Sequence, residues 1–346
     1  MAEVLITLVI IGIIAAITVP SIVAKTQDRQ WTAGMQKVRS SIGEAFRLMS
    51  INEVATPGED TGTFIDQTMS KYLKIMKHCG IGEQGAKDCG FPSKLTSVDG
   101  RTIETKNILT MNTMTAPYGI TSLDYGEPNE SGTSYRPNST TNPTTQKYND
   151  AHFFNTLDGI SVMFFYNPYC AYDQADKNYA NNPSYPNPNI LPQFSLDVAC
   201  FWGVYDMNGP KKPNRVGKDI GIVGSFFKGP QAIASTALPY PSPEKSMKEE
   251  LGAKQGEDNW SKGAAYCASI GNGNYRLPDV NELSLMFLNR ELVTNIKDKW
   301  FWSGSPLPGS ASMRSVYFIN GYRYWYGRTN STEYGFIRCV RKDVGR

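Results

Sequence analysis

A chain of 346 residues with 35 Lys and Arg against 32 Asp and Glu carries a net charge of +3, too balanced for a nucleic-acid binder or a polybasic membrane-surface binder. The length exceeds one ordinary domain and leaves room for two globular units besides a long helix. Two histidines and six cysteines without a CxxC argue against zinc as the organiser of the fold.

The first element is Val4 to Ala24, an apolar run without a charge. About 20 such residues in a helix reach roughly 30 Å, the thickness of a bilayer's hydrocarbon core, so the run reads as a membrane span. A cleaved signal peptide wants basic residues first and a shorter apolar core. Here Lys25 and Arg29 follow the run, which reads as retained. Beyond it, Trp31, Met35, Val38, Ile42, Phe46 and Met49 recur at spacings of three and four among polar residues. That is an amphipathic continuation of the same helix, about 50 residues long in all and ending near Pro57-Gly58. Gly34 inside it costs little.

Ala2-Glu3-Val4-Leu5-Ile6-Thr7-Leu8, then Ile10-Ile11-Gly12-Ile13-Ile14-Ala15-Ala16 and Pro20, resemble the mature N-terminus of type IV pilins and pseudopilins. Met1 falls two residues inside the mature start of that family, and the basic leader, the glycine before the cut and the first two mature residues are missing. Either an internal Met was taken as the start or the chain is a fragment; a basic leader ending in Gly and followed by Phe-Thr in the upstream codons would decide for the family. The resemblance implies filament-assembly roles for Glu3, which would face a neighbouring subunit's amine, and for Pro20, which would bend or loosen the packed helix. A lone carboxylate in hydrocarbon needs such a partner.

Phe64 to Lys77 reads as a shorter second helix, and Cys79 to Cys89 as a small Gly-rich loop. From Gly100 to about Gln146, Thr, Asn, Ser, Gly and Pro dominate, which reads as surface loops. Glu127-Pro128-Asn129 in that stretch is a tripeptide that C-type lectins use for calcium and mannose, but no downstream acidic set accompanies it. His152 to Asn167 is two apolar runs about a Leu-Asp-Gly turn, the pattern of a β-hairpin. A second strand pair follows: Cys200 to Tyr205, then the Asn208-Gly209 turn, Pro213-Asn214, Gly217-Lys218-Asp219 and a strand ending at Ile222 resemble the pattern near the end of many pseudopilin heads. Asp206, Asn208 and Asp219 between or beside them are weak candidates for calcium, against the reading that they bond their own turn backbone.

Gly229 to Lys245, with Pro230, Pro239, Pro241 and Pro243, reads as a linker. Past it, Asn259 to Ile270 suits a helix. Asp279 with Glu282 forms an acidic capping box opening a helix to about Asn289. Aromatic and β-branched runs at Trp300–Ser305, Ser315–Gly321 and Gly335–Arg341 read as strands. Tyr266-Cys267, Arg276-Leu277-Pro278 with Asn281-Glu282-Leu283, Phe301-Trp302-Ser303, Asn320-Gly321 and Ile337-Arg338-Cys339-Val340-Arg341 resemble the bacterial C-type-lectin-like domain of collagen-like adhesins.

Of the 15 connectivities that six cysteines allow, the simplest nesting is Cys79–Cys89, Cys170–Cys200 and Cys267–Cys339. The lectin-like resemblance implies the last pair independently. Tyr322, Arg323, Tyr324, Trp325, Tyr326 and Arg328 are the candidate ligand-binding residues, since aromatic faces stack on sugars and Arg donates paired hydrogen bonds. No histidine lies in the C-terminal half and no GxSxG or P-loop is present, so no enzyme is expected.

The expected fold is therefore α+β. Residues 1–24 form a transmembrane or filament-core helix. Residues 25–228 form a pilin-like head in which the amphipathic helix, to about 55, packs on an antiparallel sheet. Residues 229–245 are a Pro-rich linker, and 246–346 a C-type-lectin-like domain. The expected function is a minor or tip subunit of a type IV pilus-like filament with a lectin-like domain for adhesion. A pseudopilin of a type II secretion system and a non-polymerising single-span surface receptor are the alternatives. The expected partners are other pilin or pseudopilin subunits, an inner-membrane assembly platform, prepilin peptidase and a glycan or surface ligand, with no nucleic acid and no cofactor beyond the weak calcium candidates. The expected location is single-pass in the inner membrane before assembly and a periplasmic or extracellular filament afterwards.

Overall fold

The residues spaced three and four apart from Met35 to Met49 share one face of a single helix, α1 (Ala2–Ile51). Met35, Val38, Ile42, Ala45, Phe46 and Met49 are buried in one cluster with strand residues, and Phe46 stacks on Phe201 with ring centroids 3.9 Å apart. Gly34 is the notch of this contact, because a Cβ built there would lie 2.4 Å from the Met207 sulfur. The computed structural model describes residues 2–52, 60–108, 125–128, 135–137, 151–166, 199–227, 233–237, 241–247, 249–254, 256–294, 299–306, 311–318, 323–328 and 335–342.

The membrane expectations are corrected. Among the described residues no helix is long and apolar enough to cross a membrane. The transmembrane half of the expected fold class, the prepilin, pilin and transmembrane assignments tied to it, and the single-pass inner-membrane location therefore do not hold. The physical reason lies in the make-up of the described stretch. Among the described side chains of the first half of α1, the large apolar ones are Ile11, Ile13, Ile14, Val19, Ile22 and Val23. Thr18 and Pro20 interrupt even that stretch. The rest of the expected fold class is corrected as well: outside α1 no described helix exceeds 11 residues, and the strands form several sheets.

After α1 come α2 (Thr61–Thr63), a π turn at Phe64–Thr68 and a 3-10 turn at Met69–Lys71. The expected helix to Lys77 stops there, because Ile75–Ile81 is strand β1. Helix α3 (Gly82–Asp88) returns along it, and the Cys79–Cys89 disulfide joins the two. Two small ribbons follow, β2 (Lys94–Thr96) with β3 (Thr102–Glu104) and β4 (Tyr125–Pro128) with β5 (Tyr135–Pro137).

The main sheet comprises β1, β6 (His152–Thr156), β7 (Ser161–Tyr166), β8 (Ala199–Asp206), β9 (Ile220–Phe227) and β10 (Ile233–Ala237), in that order. Every pairing in it is antiparallel. Gly159, at φ +79, turns the β6–β7 hairpin expected from the sequence. Alternation sorts the side chains of this sheet cleanly. Phe154, Val162, Phe164, Phe201, Tyr205 and Val223 face α1, whereas Phe153, Met163, Phe165, Trp202, Val204 and Ile222 belong to a second core on the other face. A sheet covered on both faces has near-continuous apolar strands, and β7 is buried at every position.

The region expected to be a linker holds β10 and β11 (Pro241–Ser246), where the chain passes from the main sheet to a second one. That second sheet runs β11, β16 (Gly335–Arg341), β13 (Trp300–Pro306), β14 (Ser312–Tyr317), β15 (Arg323–Gly327), with β12 (Tyr275–Arg276) also on β16. Helix α4 (Asn259–Ser269) is bridged to β16 by Cys267–Cys339.

Between the two sheets lies α5 (Val280–Leu288), all of whose residues are buried. Asp279 and Glu282 close the capping box legible in the sequence, and Arg276 grips Glu282 with two 2.7 Å hydrogen bonds. One core cluster holds Trp202 and Ile222 of the main sheet, Leu283 and Phe287 of α5, and Phe301 and Val316 of the second sheet. The short α6 (Arg290–Val293) follows, and Arg101 donates to the Glu291 and Thr294 carbonyls there at 3.2 and 3.1 Å.

Gly224 of β9 makes the close approach of α5 attainable. A Cβ at that position would lie 2.4 Å from Leu285 Cδ2 and 3.1 Å from the Phe201 carbonyl oxygen, and Leu285, fully buried, has nowhere to move. Gly224→Ala is expected to destabilise by about 1–3 kcal/mol in chemical denaturation. Gly12→Ala, whose Cβ meets nothing within 4 Å, should not destabilise at all.

Candidate functional site

Two regions of the molecule are candidates for contact with other molecules: the first half of α1 and the outer strand of the second sheet. On α1, Ile11, Ile14 and Ile22 are 61%, 55% and 61% exposed, and Ile13, Val19 and Val23 are exposed around them. A helix apolar all round is one that is covered in its working state. Its polar atoms are turned inward: the Thr18 hydroxyl donates to the Ile14 carbonyl at 2.8 Å and that of Thr26 to the Ile22 carbonyl at 2.9 Å. Pro20 lies inside the helix, exposed, and its ring nitrogen has no hydrogen for the Ala16 carbonyl. The Glu3 side chain lies outside the described set. Beside the second half of α1, a groove of about 270 Å³ is lined by Val38, Ile42, Ala45, Leu73, Leu157 and Ile160 among others.

The aromatic segment forms β15, the last strand of its sheet. Its register sets Arg323 opposite Val316, Tyr324 opposite Ser315, Trp325 opposite Arg314 and Tyr326 opposite Met313. Tyr322 lies outside the described residues. Arg328 has a bracing position: it pairs with Asp258 at 2.8 Å, donates to the Ser261 hydroxyl and covers the Trp260 ring at 4.8 Å. Asp258 is the N-cap of α4, so Arg328 ties the end of β15 to the start of that helix.

Asp206, Asn208 and Asp219 are brought together, and their oxygens are engaged by the turn. Asp206 Oδ1 accepts from the Asn208 N–H at 3.0 Å. Asp219 accepts from the N–H groups of Asn214 and Arg215 at 2.7 and 2.8 Å. With its amide oriented to suit its surroundings, the Asn208 nitrogen donates to Asp206 Oδ1, the Lys211 carbonyl, Asp219 Oδ2 and the Gly209 carbonyl at 2.9–3.3 Å. A hard cation wants six to eight oxygens turned towards it. In that orientation an amide nitrogen occupies the middle of the oxygen set. Among the described residues no group of three or more His, Cys, Asp and Glu is placed to hold a metal.

Of the other sequence candidates, Glu127 and Pro128 end β4 in a ribbon apart from both main sheets, while Asn129 and the Cys170–Cys200 pairing lie outside the described residues. Sequence reasoning missed the two histidines, His78 and His152, which the fold brings into hydrogen-bond contact. The only sequence signal was their rarity. No family model, curated protein or solved structure matches the chain.

The Asp206 carboxyl is fully buried, and its Oδ2 has no hydrogen-bond partner among the described residues. Burial, aided by the Asp219 charge and opposed by the Asn208 N–H, pushes it from 3.8 up to about 7. The folded chain therefore holds this proton more tightly than the unfolded chain. The stabilisation is complete below about pH 4 and is lost as the pH rises through about 7. Thermal denaturation should show the melting temperature falling between pH 5 and pH 8, and Asp206→Asn should remove much of that fall.

Proposed function

We propose that the chain is a minor or tip subunit of a type IV pilus-like filament whose second sheet presents a surface for adhesion or ligand binding. The observation that carries this reading is the contrast along α1. One face of its second half is buried against the main sheet, while in its first half Ile11, Ile13, Ile14, Val19, Ile22 and Val23 are exposed. Exposed apolar surface of this kind marks a contact site. Its occupant in this reading is the equivalent stretch of neighbouring subunits, which buries apolar area at every copy added. A head-to-tail contact that does not close generates an open helical filament rather than a ring.

The resemblance at Glu3 supplies a partner for that carboxylate in the amine of a neighbour. The two sheets at the far end of the helix are bulky for a densely packed shaft, which favours a minor or tip position. In that position β15, last in its sheet, is the strand available for display.

The test replaces Ile11, Ile14 and Ile22 by Ser. Because these side chains are exposed, the near-ultraviolet circular dichroism should stay as in wild type. Sedimentation should change from assembled species to monomer, and incorporation into filaments should be lost; assembly equal to wild type would falsify the reading. For the ligand surface, Tyr324→Ala should lower binding about tenfold on any glycan-array feature that wild type recognises. Undiminished binding would remove β15 from the proposal.

A further inference from the structure

The chain's two histidines lie 74 residues apart and share a hydrogen bond. His78 Nε2, on β1, is 3.0 Å from His152 Nδ1, on β6, and His78 Nδ1 is 2.8 Å from Asp66 Oδ1 in the π turn after α2. The ring centroids are 5.2 Å apart at a tilt of 34°. Nearly all of that separation is the N–N contact plus the two ring radii, so the bond lies in line with both rings. A metal shared between the nitrogens would need them to converge at an angle, whereas a proton needs this in-line arrangement.

The backbone around the pair is irregular on one side and open on the other. The β1–β6 register breaks on both sides of His78, between Ile75 and Lys77 and again between His78 and Gly80. Bulges of this kind re-aim side chains. His78 stands opposite Phe154, and His152 stands opposite Ile81, so the two are diagonal neighbours on adjacent strands, within reach of each other's rings. On the other side, Gly62 leaves the room His152 needs, since a Cβ there would lie 2.7 Å from His152 Cε1.

The proton positions follow from the partners. The Asp66 carboxylate can only accept, so His78 carries its hydrogen on Nδ1 and a lone pair on Nε2. His152 then donates from Nδ1. A first proton leaves the bond intact, because a charged ring can still donate to a neutral one. A second proton leaves no lone pair between the rings and turns the contact into two N–H groups facing each other. Each resulting cation has a carboxylate at hand. Asp66 serves His78, and Asp60, held ionised by the Thr63 N–H and hydroxyl at 3.0 and 2.7 Å, attracts His152. The remaining charges nearby are otherwise engaged or in solvent. Lys77 donates to the Asp88 carbonyl, Asp158 at the β6–β7 turn pairs with Lys37, and Glu83 of α3 is exposed.

We propose that Asp66, His78 and His152 form a proton-operated clasp. It holds the outermost strand β1 and the segment after α2 to the main sheet, and it opens when the second proton enters. The Cys79–Cys89 bridge keeps β1 tethered to α3 throughout, so the opening is local and reversible.

The test uses the full chain, with imidazole nitrogen NMR and amide hydrogen exchange from pH 8 to pH 4.5. With two histidines the ring spectrum has two spin systems. At pH 8 His78 should be the Nδ1–H tautomer, and the rings should titrate in two coupled steps. Through the second step the protection of the β1 amides should fall about tenfold or more while that of β8 holds. His152→Asn offers an amide donor near the Nδ1 position that does not titrate; it should keep β1 protected and remove the pH dependence. Independent single-site titrations, an Nε2–H tautomer at His78, unchanged β1 protection, or equal loss in β1 and β8 would each overturn the clasp. Should the variant not fold, the wild-type measurements decide alone.

Discussion

The structure depends on one short helix being buried on every side. Helix α5 has no solvent face: the main sheet lies on one side of it and the second sheet on the other. Such a helix cannot satisfy its first N–H groups with water, and its start is accordingly closed by side chains. Asp279 takes the N–H groups of Asn281 and Glu282, and Glu282 takes that of Asp279 while held by Arg276. Burial raises the Glu282 carboxyl although Arg276 opposes it, so the pair is a costly arrangement that offsets its desolvation by fixing geometry rather than by adding stability. Remove that start and the surfaces on both sides of α5 lose the element they are packed against.

What the sequence made legible, and what it hid, divides along the range of the interaction. The capping box at Asp279 and Glu282, the Gly159 hairpin turn and the Met35-to-Met49 stripe are set by residues within a few positions of one another, and each was readable. Gly34 and Gly224 looked like ordinary glycines because their reasons, Met207 and Leu285, are remote in the chain. Pro241 and Pro243 argued for a linker, yet proline is tolerated at strand starts and on outer strands, and β11 is the outermost strand of its sheet. The segment Ile75 to Ile81 showed no clean alternation because it is an irregular outer strand with bulges on either side of His78. For the same reason nothing local announced that His78 would meet His152.

The candidate sites follow the same division. Asp206, Asn208 and Asp219 are close in sequence and meet in space, but carboxylates around a turn look alike whether they receive N–H groups or a cation. Only the direction of the surrounding hydrogen bonds separates the two, and sequence does not carry it. Arg328 was grouped with the aromatic strand as a ligand contact; its place over Trp260 and beside Asp258 makes it a structural brace for the strand instead. The length of α1 was legible, but the membrane reading of its first half was not sustained, because hydropathy along a run reports apolar character and not what covers it.

The Cys267–Cys339 bridge has a mechanical consequence. Strand β16 is where β11, β12 and β13 all pair, so the part of a load from β15 to α1 that travels along the second sheet passes through it. Hydrogen-bonded strands unzip bond by bond when peeled, whereas a covalent tie from β16 to α4 keeps this junction from lengthening under tension. A molecule anchored by one end and pulled by the other would yield first at the outer strands and keep its centre.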